Sequence, residues 1–192
     1  GGAQALRAEV VESTAGTLVV AIVAPDRRGL VAGITGVSTL CDLNILGAQL
    51  FTRTDGIACD RFVLEAAGET ARANVQRFVD ALGEGAAMES GLAERVAVKA
   101  HAYRYRVRPG VDPGVAVTGG GTTWEIQLRA ADRKGLLHDV TSALADLELD
   151  LVQVHVDTRA GVAYDTLRVV GRTSEIDLGK AVAALVPASG DP

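Results

Sequence analysis

Two cysteines, one methionine, one tryptophan and 4% aromatic residues in 192 positions leave this chain few of the groups that usually carry chemistry. Cys41 and Cys59 sit inside apolar segments without metal-ligand spacing, so they read as reduced core thiols of a cytoplasmic protein. Basic charge is also scarce. Lys and Arg number 19 against 24 Asp and Glu, a net charge of −5, which argues against a nucleic-acid partner held by phosphate neutralisation. The one stretch that alternates rings and guanidinium groups, 101–108, reads as a solvated face in so acidic a chain. No apolar run reaches the roughly 18–20 residues of a membrane span, and no charged segment leads into an apolar one at the start, so no membrane partner is expected. His101, His138 and His155 are scattered, which excludes a His-x-x-x-His metal motif. No Ser-His-Asp set, Walker loop or paired catalytic carboxylate is present, and no catalytic residue, metal site or cofactor is expected. The opening Gly1-Gly2 lacks an initiator Met and hints at a tag remnant or an excised fragment.

What the chain has instead is a repeat. Asp26-Arg27-Arg28-Gly29-Leu30 returns as Asp132-Arg133-Lys134-Gly135-Leu136, and sliding 17–53 onto 123–159 gives ten identities in 37 gapless positions. Among them are Thr35 with Thr141, and Thr52 with Thr158. Each copy spans about 70–80 residues, near the size at which a single core becomes marginal, so a tandem pair packed side by side is expected.

Within copy one, 17–23 is a continuous β-prone apolar run ended by Pro25. Leu30, Ile34, Val37, Leu40 and Cys41 fall at helical spacing over 30–43. Strands at 45–52 and 57–64 flank the turn Thr54-Asp55-Gly56, and a helix fits 70–82. Copy two repeats this order: strand 124–130, helix 136–147, strands 151–158 and 163–170 around Ala160-Gly161, and helix 176–186. In strand 124–130, Trp124, Ile126 and Leu128 alternate with Glu125, Gln127 and Arg129, which predicts one wet face. The second turn is one residue shorter, so the offset falls from 106 to 105.

The predicted fold class is α+β: two ferredoxin-like βαββαβ units, each an antiparallel sheet with its helices on one face. The units are drawn at 15–105 and 122–188, with 106–121 a linker able to contribute a strand. The fourth strand of each unit is open. The candidates are 96–107 and 115–117, either of which could serve copy one, while one could cross to copy two. Gly119-Gly120-Gly121 forms a flexible joint.

The strand-to-helix loop is the first candidate site. Gly29 and Gly135 allow close approach of another group to the backbone. Asp26 and Asp132 are placed to cap the helix, and the first-turn amides beyond each glycine are free to donate at the positive end of the helix dipole. Such a mouth favours a small anion, including an amino-acid carboxylate. The alternative is an ordinary capped turn without a ligand. Asn44 aligns with Asp150 at the opening of the next strand, near the loop of its own copy or of its neighbour. Asn44 both accepts and donates, whereas Asp150 only accepts and suits an ammonium group. Helix-terminal turn residues of these types are equally common without any ligand.

The segments 26–64 and 131–169 resemble the ACT domain, a small-molecule-binding regulatory module. The resemblance rests on Asp-Arg-x-Gly-Leu, an amphipathic helix, a Leu-Asn/Asp-Ile/Leu step, Thr-Arg, a turn and an Asp in the return strand. It covers roughly 140 of the 192 residues. The chain departs from it at Arg28 and Lys134, where the family usually has proline. The tandem is most similar to the C-terminal region of the PII uridylyltransferase family, whose members modify and demodify the nitrogen-signalling protein PII under glutamine control. The resemblance implies a glutamine-binding regulatory fragment of such an enzyme, with PII reached through attached domains. It places Asp26, Gly29, Leu30, Asn44 and Ile45 in one pocket, and Asp132, Gly135, Leu136, Asp150 and Leu151 in the other. A freestanding amino-acid sensor acting on a partner and a structural module dimerising through sheet edges or helices are the alternatives.

Overall fold

In the computed structural model, residues 6–66, 68–85, 91–103 and 111–186 are described. They form a mixed α+β structure: one eight-stranded antiparallel sheet and five helices. The first half runs β1 (Arg7–Ser13), β2 (Thr17–Pro25), α1 (Leu30–Leu40), β3 (Ile45–Gln49), β4 (Ile57–Glu65), α2 (Glu69–Glu84) and α3 (Leu92–Ala102). The second runs β5 (Gly114–Gly120), β6 (Thr123–Ala131), α4 (Leu136–Asp146), β7 (Asp150–Arg159), β8 (Val162–Val170) and α5 (Glu175–Ala183). The sheet order is β1-β2-β4-β3-β7-β8-β6-β5.

Alternation decides which side of each strand is covered. Leu18, Val20, Ile22 and Ala24 of β2, Phe62 and Leu64 of β4, Trp124, Ile126 and Leu128 of β6, and Leu167 and Val169 of β8 are all buried. They join Ile34 and Val37 of α1, Val75, Phe78 and Leu82 of α2, Val140 and Leu144 of α4, and Leu178 and Val182 of α5 in one core. The wet face predicted for β6 is observed at Gln127 and Arg129, with Glu125 half-buried. On the opposite face of the sheet Val19 is nonetheless buried, and there Glu12 of β1 and Arg61 of β4 form an ion pair across β2 at 2.7 Å.

The fourth strand is where the sequence expectation needs correction. It precedes each half instead of following it, so the order is β-β-α-β-β-α rather than β-α-β-β-α-β. A tight turn at 14–16, with the Thr14 amide donating to the Thr17 carbonyl at 2.9 Å, folds β1 directly onto β2. The segment around 115–117 belongs to β5 and serves the second half. The candidate 96–107 is not a strand over its described part. Gly91, at φ 87°, starts α3, which buries Leu92 and Val96 one turn apart against α1. Residues 104–107 lie outside the described residues.

The halves are related by an approximate twofold axis. Ala48 pairs with Val154 where β3 meets β7, and these positions are 106 apart, the repeat offset. On the same axis the Thr35 and Thr141 hydroxyls meet at 2.9 Å between α1 and α4, again 106 apart, and the buried His138 ring donates through Nδ1 to the Ala32 carbonyl at 2.8 Å. The outer face of this seam carries Gln49 opposite Gln153 and Gly47 opposite His155, so His155 lies at the junction of the halves with its ring exposed. Cys41 is buried and Cys59 half-buried, both as free thiols. No helix among the described residues is long and apolar enough to cross a membrane.

Candidate functional site

Both loops adopt the same backbone. Gly29 and Gly135 stand at the helix starts with φ of 75° and 82°, the left-handed region that a Cβ disfavours. The Leu30 amide donates to the Arg27 carbonyl at 3.1 Å and the Leu136 amide to the Arg133 carbonyl at 3.2 Å, closing a tight turn before each helix. The amides of Val31 and Ala32, and of Leu137 and His138, have no backbone acceptor among the described residues. Leu30 and Leu136 point into the core and hold the first turn down.

The aspartates do not cap the helices, contrary to the sequence expectation. Neither helix start has a side-chain cap. Asp26 instead accepts a hydrogen bond from the Thr52 hydroxyl at 2.9 Å, while its amide donates to the Gly56 carbonyl at 2.8 Å. Asp132 does the same with Thr158 and the Gly161 carbonyl, the latter at 3.0 Å. Each aspartate therefore ties its loop to the hairpin turn of its own half. That accounts for the identity of Thr52 with Thr158 by structure alone. Burial pushes the Asp132 carboxyl above its ordinary range despite the nearby Lys134 charge and the Thr158 hydrogen bond.

At the far end both helices finish in the same motif. The Leu43 amide donates to the Ser38 carbonyl and the Asp42 amide to the Thr39 carbonyl; Leu149 and Glu148 repeat this onto Leu144 and Ala145. This forces Asp42 and Glu148 into left-handed conformations, φ 58° and 59°. Across the twofold axis, Arg28 of the first loop pairs with Glu148, and Lys134 of the second loop reaches Asp42 at 3.5 Å. The charges that stand where proline was expected thus bridge the two halves.

The same crossing sets the composition of two cavities, each of about 570 Å³. One gathers Asp132, Gly135 and Leu136 from the second loop with Asn44 and Ile45 from the first half. The other gathers Asp26, Gly29 and Leu30 from the first loop with Asp150 and Leu151 from the second half. All ten residues singled out from the sequence line a cavity, but the partners are exchanged relative to the expected grouping: each strand opening faces the loop of the other half. The reason is that α1 packs on α4 about the axis, so each helix start abuts the neighbour's strand. The Asn44 amide group donates to Glu65 at 2.7 Å, which occupies its donor within its own half.

Two further acids line the cavities. Asp60 and Asp165, the aspartates of the return strands, lie on the covered side of the sheet, 5% and 4% exposed, one in each cavity lining. Burial, reinforced by the charge of Asp26, raises the Asp60 carboxyl to about 6 against the pull of the Phe51 amide, which donates to it at 3.3 Å. Burial, reinforced by the charges of Asp132 and Asp157, raises Asp165 to about 7. The signal was present: at these two positions an acid replaces an apolar residue in an otherwise alternating strand.

No family model matches this chain. Among solved structures, it is similar over 88% of its length, and over 90% of the other chain, to a protein assigned as a glycine cleavage system transcriptional repressor, at 14% identity and a TM-score of 0.32. An unknown protein from Galdieria sulphuraria aligns over 88% of both chains at 14% identity and a TM-score of 0.28.

Proposed function

We propose that this chain is an amino-acid-sensing regulatory module built from two ACT-type units, each cavity taking one small molecule at the junction of the halves. The observation that carries this reading is the exchange of partners. Because every cavity has a helix mouth from one half and a strand opening from the other, a bound molecule contacts both. It therefore favours one arrangement of α1 against α4, and such coupling is typically about 1–3 kcal/mol. The first-turn amides suit a carboxylate, and the acids of the linings suit an ammonium group. β1 and β5 favour starting the two units near residues 7 and 114 instead of 15 and 122.

The sequence resemblance makes glutamine the first ligand to try, and an attached PII-modifying nucleotidylyltransferase, in the cytoplasm, the first candidate for what is regulated. A freestanding sensor acting on a partner is the second reading. Titration calorimetry with glutamine and the other amino acids tests the core claim. Heat of binding at millimolar ligand or below is expected for at least one. Silence from all twenty sinks the sensor and leaves a structural duplication.

A further inference from the structure

Among the described residues, Trp124 Nε1 and Asp165 Oδ1 are the buried side-chain atoms without a hydrogen-bond partner. The second is unusual for its place. Asp165 lines the second-loop cavity, on β8 between Leu128 of β6 and Val156 of β7. The Asp157 amide donates to its carboxyl group, but Oδ1 has nothing. An unsatisfied buried acceptor is costly, and more so when charged, so its retention beside a cavity calls for a donor.

Among the described residues no cation supplies it. Arg133 is engaged by Asp139 at 2.6 Å, and Lys134 by Asp42. The charges that act on Asp165 are those of Asp132 and Asp157, both acidic. The equivalent first-loop cavity differs. Asp60 Oδ1 accepts the Phe51 amide, and neither of its oxygens is a fully buried atom without a partner.

We infer that the second-loop cavity seats its ligand by an ammonium group against Asp165 Oδ1, with any carboxylate of the ligand turned outward to the loop amides and Lys134. This deepens the sensor reading and rests on it only for the amino-acid identity, because the seat itself asks for an amine. The inward end of the cavity therefore selects amines over acids of the same shape, and it makes this cavity the tighter of the two.

The test is calorimetry on the whole chain near pH 8 with three probes: glutamine, 4-carbamoylbutanoate, which lacks the amine, and 4-aminobutanamide, which lacks the carboxylate. Loss of a charged hydrogen bond predicts that 4-carbamoylbutanoate binds about 10- to 100-fold more weakly than glutamine. Asp165→Asn should weaken glutamine by a similar factor and leave 4-carbamoylbutanoate unchanged, while Asp60→Asn leaves the tighter event in place. Equal binding of glutamine and 4-carbamoylbutanoate overturns the amine seat while leaving the sensor intact. Binding of 4-aminobutanamide without glutamine upholds the seat and removes glutamine as the ligand. Silence from all three overturns the seat. The comparison of probes uses the unaltered chain, so it stands even where Asp165→Asn fails to fold.

Discussion

The two loops share their backbone and most of their sequence, yet the first stands in solvent and the second beneath α3. Asp26, Arg27 and Arg28 are exposed; Asp132, Arg133 and Lys134 are half-buried and Gly135 is buried. A Cβ on Gly29 would meet nothing within 4 Å, whereas one on Gly135 would meet Val96 Cγ1 of α3 at 3.1 Å. The cross-half ion pairs follow suit. Arg28 and Glu148 have side chains 57% and 75% exposed, but Asp42 is held by Lys99 of α3, by the Tyr103 hydroxyl at 2.8 Å and by Lys134, whose ammonium lies 5.3 Å from the Tyr103 ring centre. Although burial opposes ionisation of Asp42, these partners hold its carboxyl below the usual range. At the mouths, exposed Phe51 in one cavity corresponds to Asp157 in the other. One helix outside the repeat thus sets two equivalent loops in unequal surroundings.

The largest separation between the halves should appear with pH. Asp60 and Asp165 bind a proton in the folded state at values where the unfolded chain, with carboxyls near 3.8, has released it. The folded state then holds more protons, so stability falls as pH rises from about 4, and levels off above the folded value. The windows close at about 6 for Asp60 and about 7 for Asp165. Their full costs are on the order of 3 and 4 kcal/mol. Urea midpoints of the unliganded chain between pH 5 and 8 should therefore drop, with Asp165→Asn removing the portion between about 6 and 7 and Asp60→Asn leaving that portion in place. A flat profile would mean that both carboxyls are solvated and that the cavities are open to water down to the sheet.

Next in size is the glycine pair. Alanine at either position meets the left-handed penalty of about 1–2 kcal/mol. Gly29→Ala should cost that and no more. Gly135→Ala adds the push against Val96, so it should be the more destabilising, and Gly135→Val more so again. Equal losses in urea unfolding would show that α3 yields freely and does not clamp the second loop.

Much of this was legible in the chain. The repeat located both loops, and alternation located the covered side of β2, β4, β6 and β8. What escaped had physical reasons. β1 carries Arg7, Glu9 and Glu12 on one side and only Ala8 and Val10 on the other, the sparse pattern of an edge strand. α3 was hidden because Val96 and Val98 favour strands locally, while docking of Leu92 and Val96 on α1 decides otherwise. The exchange of cavity partners depends on α1 meeting α4, a contact between residues 106 apart that no local pattern reports. The orphaned oxygen of Asp165 depends on what is missing around it, which a sequence does not list by nature.

The smallest effect is the most diagnostic, because one substitution should act with opposite signs at equivalent positions. Asp42 and Glu148 both occupy the left-handed position that ends a helix, where glycine relieves strain of about 1 kcal/mol. Glu148 gives up little when removed: its pair with Arg28 is exposed, and such pairs contribute about 0–1 kcal/mol. Glu148→Gly should therefore be neutral to stabilising by up to about 1 kcal/mol. Asp42 strains less, since aspartate tolerates this region better than glutamate, and it gives up more. Asp42→Gly leaves the Lys99 ammonium, only 20% exposed, with the Leu40 carbonyl as its remaining partner, and frees both Tyr103 and Lys134. A net loss of about 1 kcal/mol is expected there, the roughly 1.5–3 kcal/mol of a hydrogen bond to a charged group less the strain that glycine relieves. Urea midpoints at constant slope would read the two signs. Matching signs would mean that α3 contributes nothing to the second loop through Asp42, and the inequality of the two cavities would then have to rest on Asp165 and on lining differences such as Phe51 against Asp157.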